Sequence, residues 1–101
     1  MQDEEASTAR LTPLAIVAYK QPISRSQIAS IRGVDPDGVL RTLAARGYVA
    51  QVAIDPGPGQ AALFGTTPQF LEKLGLNSLS DLPALAEFVP GAEVVEALEY
   101  G

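Results

Sequence analysis

The chain has 101 residues, 47% hydrophobic and 19% charged, with a net charge of −5 and neither Cys nor His. That suffices for one small globular domain, and its charge sign opposes phosphate-backbone binding, which draws on Lys and Arg. Disulfides, thiol and imidazole chemistry and the usual zinc ligand sets are excluded, and no apolar run reaches the roughly 20 residues of a membrane helix, so a cytosolic protein is expected.

Residues 1–10, MQDEEASTAR, are polar and acidic and are expected to form a flexible tail or a linker remnant. Thr12-Pro13 reads as a hydroxyl cap followed by proline, the start of a first helix. Leu14–Tyr19 is apolar nearly all round, the mark of a helix covered on most sides. Pro22 stops it by pushing Gln21 toward extended geometry.

Ser24-Arg25-Ser26-Gln27 is a capping box that opens a second helix with Ile28 and Ile31 on one face. Gly33 closes that helix. Asp35-Pro36 caps a third, with Val39, Leu40 and Leu43 inward and Gly47 at its end. Tyr48–Ile54 alternates like a half-buried strand. Its partner, 62–66, contains Gly65, which predicts a bulge or a close backbone approach. Between them lies the Pro/Gly cluster Asp55–Gly59.

Thr67-Pro68 repeats the cap-plus-proline device for a helix through Leu74, with Gly75 ending it and Leu76 placed to pack back on Leu71. Ser78–Asp81 opens another short turn, cut by Pro83. Pro90-Gly91 breaks the chain again. Ala92–Tyr100 has the pattern of a terminal helix, with Val94, Val95 and Leu98 apolar and Glu93, Glu96 and Glu99 exposed.

Three helices followed by a hairpin form the winged helix-turn-helix plan, and its usual partner is DNA. The recognition-helix slot, Pro36–Arg46, offers Arg41 and Arg46 opposed by Asp35 and Asp37. That is sparse for an element that reads base edges and phosphates. The hairpin tip, Asp55–Gln60, has no Lys or Arg to bring to a phosphate. It also fails as a phosphate cradle, because Pro56 and Pro58 remove amide donors and no lysine follows the glycines. Asp35 and Asp37 suit helix N-termini, and the serines have no His to activate them. Lys20 reads as a snorkelling side chain at a helix end. No catalytic residue, cofactor or metal is expected.

Several stretches are familiar as a set: LAIVAYKQPISRSQI, then IRGV, LRTLAARGYV and FGTTPQFLEKLGLNSLSDLP. They resemble the bacterial segregation and condensation protein B family, and more narrowly the second of its two winged-helix domains, from about Leu11 to Ala86. AYKQPI-[ST]-R, IRGV, GTT-x-x-FL and GL-x-SL-x-DLP recur in order and at matching spacing. The resemblance implies a non-catalytic, nucleoid-associated subunit of the condensin-like structural-maintenance-of-chromosomes (SMC) complex. It further implies dimerisation, binding of the kleisin subunit (segregation and condensation protein A, ScpA), and action through it on the SMC ATPase. Protein binding agrees with the acidic balance read independently from composition.

Three departures accompany the match. The family's first winged-helix domain, which carries much of the dimerisation, has no counterpart ahead of Leu11, so an isolated domain or truncated relative is expected. The hairpin has Val52-Ala53-Ile54 and Gly59-Gln60 where relatives often carry arginines. Pro13 stands where the family runs an uninterrupted first helix.

The expected architecture is α+β: a winged helix over 11–86 with three helices, a two- to three-stranded wing and additional C-terminal helices. A tail over 1–10 precedes it, and an extension over 87–101 follows. The expected function is an adaptor that grips a kleisin segment, with Arg41, Val52, Phe64 and Phe70 contributing to the partner surface. Tyr19, Ile31, Gly33, Leu43 and Gly65 are assigned to folding. A DNA-binding transcriptional regulator is the competing reading, and a self-associating module the third.

Overall fold

The computed structural model describes residues 11–82 and 92–100. The acidic tail 1–10, the stop at Pro83 and the Pro90-Gly91 break lie outside the described residues. The elements are α1 (Pro13–Lys20), β1 (Ile23–Ser24), α2 (Arg25–Arg32), α3 (Asp37–Ala45), β2 (Val49–Ile54), β3 (Ala62–Thr66), α4 (Pro68–Leu74), a 3-10 turn (Leu79–Asp81) and α5 (Ala92–Tyr100). This is an α+β winged helix whose three-stranded antiparallel sheet runs β1-β3-β2.

Helix boundaries follow local chemistry. Thr12 Oγ1 accepts the Ala15 amide at 3.4 Å with Pro13 in the first turn. Six consecutive residues of α1, Pro13–Ala18, are buried, as an all-apolar helix requires. Gln21, before the cis Gln21–Pro22 bond, is extended at ψ 149°. Ser24 and Gln27 form the expected capping box: Ser24 Oγ accepts the Gln27 amide, and Gln27 Oε1 accepts the Ser24 amide at 2.9 Å. Ser24→Ala is expected to cost about 1 kcal/mol of unfolding free energy in urea denaturation.

Gly33 ends α2 at φ 80°, in the left-handed region that glycine tolerates. The third helix starts one residue later than the sequence suggests. Pro36 occupies the cap, while Asp35 Oδ1 accepts the Asp37 amide at 3.0 Å. Thr67 caps α4 through the Phe70 amide. The Leu76 amide then closes a Schellman motif on the Leu71 carbonyl at 2.9 Å.

The core joins α1 to Ile23, Ile28, Leu40, Leu43, Val49, Phe70 and Val95. Three expectations about burial change. Val39 is 37% exposed, because the seam of α3 runs through Leu40 and Leu43, three apart, and its neighbour in sequence turns about 100° away. Along β2 only Val49 is buried, so the alternation does not mark a half-buried strand. This strand forms one edge of the sheet, and the pairing slips between Gln51 and Ala53. Val52 is therefore the extra residue of a bulge, which breaks the period of two. Glu96 and Glu99 are half-buried rather than exposed, since both face the start of α1.

Candidate protein-binding face

The candidate face, drawn from the residues assigned above to a partner surface, comprises α3 and the β2–β3 wing. The wing tip is held by its own backbone. Asp55 Oδ1 accepts the Gly57 amide at 2.8 Å, and the Asp55 amide donates to the Ala61 carbonyl at 2.9 Å. Gly59 at φ 88° and Gln60 at φ 46° complete the reversal. This is a turn shaped by Asx bonding and glycine, with no cation in it.

At the other end of the wing, Gln21 ties β3 to the end of α1. Its Oε1 accepts the Thr66 amide at 2.9 Å, and its Nε2 donates to the Ala18 carbonyl and to Thr66 Oγ1, both at 3.0 Å. The β1–β3 register, Ile23↔Phe64 and Ser24↔Leu63, places Gln21 opposite Thr66 when extended. A side-chain amide thus stands where the ladder would otherwise continue. The space for it exists because Gly65 has no Cβ, which would lie 2.6 Å from Gln21 Oε1 and 3.2 Å from the Val52 methyls. The close approach expected at Gly65 is therefore present, and the bulge sits across the ladder on Val52.

The four candidate partner residues do not share one environment. Arg41 is exposed on α3 and has no ion pair among the described residues. Val52 is 53% exposed on the bulge. Phe64 is half-buried and packs against the core. Phe70 is completely buried, so its assignment to a partner surface is corrected. It sits in the first turn of α4, immediately inside the Thr67 cap, and that turn faces the core. Capping geometry and the apolar side chain were both in the sequence, but which way the turn faces was not.

The cations around α3 are largely committed within the domain. Arg25 Nε pairs with Asp37 Oδ1 at 3.1 Å, an exposed bridge that contributes little to stability. Arg46 donates to the Glu99 carbonyl of α5 at 3.0 Å. Arg32 donates to the Leu11 carbonyl at 2.7 Å. What remains outward is partly apolar: Val34, Val39, Val52 and Ile54 are all exposed. Ile54 is exposed beside Val52 on the same strand of the wing, an apolar side chain that the sequence reading did not include in its candidate surface.

No group of three or more acidic side chains able to hold a metal occurs among the described residues. No described helix is long and apolar enough to cross a membrane. The folding assignments agree with what these residues do. Leu43 is buried, Ile31 packs on the core, and Gly33 takes positive φ. Burial pushes the Tyr19 phenol above its ordinary pKa.

Comparison with known proteins places this geometry in a family. The model of the segregation and condensation complex subunit ScpB matches residues 1–85. Segregation and condensation protein B of Bacillus subtilis (strain 168) is 51% identical over 81 residues, covering 80% of this chain and 41% of that protein. Its counterpart in Moorella thermoacetica is 48% identical over 87 residues, 86% of this chain and 45% of the relative. The crystal structure of ScpB from Mycobacterium tuberculosis superposes with a TM-score of 0.59 at 44% identity, over 67% of this chain and 45% of that one. The chain thus spans less than half the length of these relatives. With its capped helices, Gln21–Gly65 junction and acidic balance, it belongs to the ScpB family of segregation and condensation complex subunits.

Proposed function

We propose that this chain is a non-catalytic, protein-binding winged helix of the nucleoid-associated bacterial SMC complex, equivalent to the second winged-helix domain of its relatives. Its partner is a segment of the kleisin ScpA, and through that segment it acts on the SMC ATPase. The observation that carries this reading is the character of the outward face. Arg41 is the one described cation of α3 left without an internal contact, Arg46 is engaged by α5, and the wing presents Val52 and Ile54. A groove reader of DNA needs several cations on these elements to displace counterions, whereas an apolar strip with a polar rim suits a polypeptide.

Co-purification with the central region of the kleisin tests this directly. Capture at micromolar concentration is expected, with Val52→Asp plus Ile54→Asp weakening it by about tenfold or more while the domain stays folded. A submicromolar duplex-DNA complex that dissolves steeply with added salt, together with no kleisin capture, would overturn the reading in favour of a transcriptional regulator.

A further inference from the structure

The last helix, α5, is seated on the domain by a small set of contacts. Glu96 Oε2 accepts the Thr12 amide at 3.1 Å, and Glu99 Oε1 accepts the Leu14 amide at 2.9 Å. Both are amides at the start of α1, where the N–H groups have no partner within their own helix and the dipole favours negative charge. At the far end of α5, Arg46 reaches the carbonyls of Leu98 and Glu99, which are likewise unpaired within a terminating helix. Val95 is fully buried between these polar ends, and Leu98 packs beside it.

Among the described residues, the hydrogen bonds that the domain gives α5 come from the Thr12 and Leu14 backbone amides and from the Arg46 guanidinium. The chemistry therefore selects a kind of helix rather than one particular segment. It fits apolar residues at i and i+3, carboxylates at i+1 and i+4, and a helix that ends over Arg46. Nine residues are too few for a helix that is stable alone in water, and Val94 on the same helix is 53% exposed. So α5 is held by this seam and has little structure of its own to lose on leaving it.

We propose that this seam is a binding groove for a short acidic amphipathic helix of a partner chain, and that α5 closes it in cis until such a helix displaces it. Because α5 is tethered, a competitor sees only the fraction of molecules whose groove is open, and its apparent affinity falls by that fraction. Loosening α5 should therefore tighten binding in trans. The inference stands apart from the kleisin reading, since a kleisin segment docked on the wing leaves it intact.

The test titrates an acetylated peptide of residues 92–100, AEVVEALEY, into the isotope-labelled full chain and into its Glu96→Ala/Glu99→Ala variant, read by amide NMR. Binding about tenfold or more tighter to the variant is expected, with shifts at Thr12, Leu14 and the Arg46 side chain, and a peptide with both glutamates replaced by alanine should not bind. Equal binding to both proteins, or to neither, overturns the proposal. Hydrogen exchange on the unaltered chain gives a second reading that needs no variant. The Thr12 and Leu14 amides should exchange together and faster than α1 interior amides, whereas exchange only by global unfolding counts against a detachable α5.

Discussion

Phe70→Ala is expected to lower the unfolding free energy by about 3–5 kcal/mol, the usual cost of emptying a fully buried phenylalanine site. A domain of this size holds only about 5–15 kcal/mol in total, so the loss is a large fraction of its stability. The reason is geometric: Phe70 has no exposed surface and stands in the same core as α1 and Val49. Urea denaturation measures the loss, and Phe70→Leu, which keeps most of the apolar volume, should cost much less. Kleisin capture per folded molecule should be unchanged in the leucine variant. A variant that folds normally and loses only its partner would return Phe70 to the binding face.

The second large effect is expected at Gly65. Gly65→Ala places a Cβ 2.6 Å from Gln21 Oε1, too close for both to stay, and that oxygen is the acceptor of the Thr66 amide. Gln21 can swing aside only by giving up its bonds to Thr66 and Ala18. The Thr66 N–H then faces a partly buried space without an acceptor. The cost should be about 1–3 kcal/mol, and more for valine, whose added methyls crowd a site where the Cβ alone already lies 3.2 Å from the Val52 methyls. Gln21→Ala alone should cost a similar amount for the same lost acceptor. In the Gln21→Ala background the glycine substitution should cost less, since only the 3.2 Å contact with the Val52 methyls remains, giving a coupling of about 1 kcal/mol or more in a double-mutant cycle. Strictly additive costs would mean that the two residues act separately.

This pair brings two motifs far apart in the sequence into contact. AYKQPI supplies Gln21, and GTT supplies the space at Gly65, the amide at Thr66 and the α4 cap at Thr67. Each motif alone reads as local signals, a helix stop at Pro22 and a close approach and cap at Gly65 and Thr67, and together they make the junction between the first helix and the middle strand. The match to the family was recognisable from the letters, but its physical content becomes visible only once both ends meet in space.

Local signals carried most of the fold. Thr12, Ser24 and Thr67 each bond an orphan amide at a helix start, Gly33 and Gly75 each take positive φ at a helix end, and the short range of that chemistry is why it can be read along the chain. β1 is too short, at two residues, to show any period. Its presence depends on β3 offering an edge. Alternation in β2 does not report burial because, past Val49, both faces of this edge strand are exposed, including Ala50 and Gln51 ahead of the bulge.

By itself the sequence determined where helices start and stop, the winged-helix order, the family, and the scarcity of cations, because each rests on neighbouring residues or on composition. Only the tertiary structure decided that Phe70 turns inward, that Val39 and Ile54 turn outward, and that Glu96 and Glu99 cap a helix more than eighty residues away. Those outcomes depend on which surfaces meet. A side chain's own chemistry says that it needs a partner, and the packing of distant elements decides which one it finds.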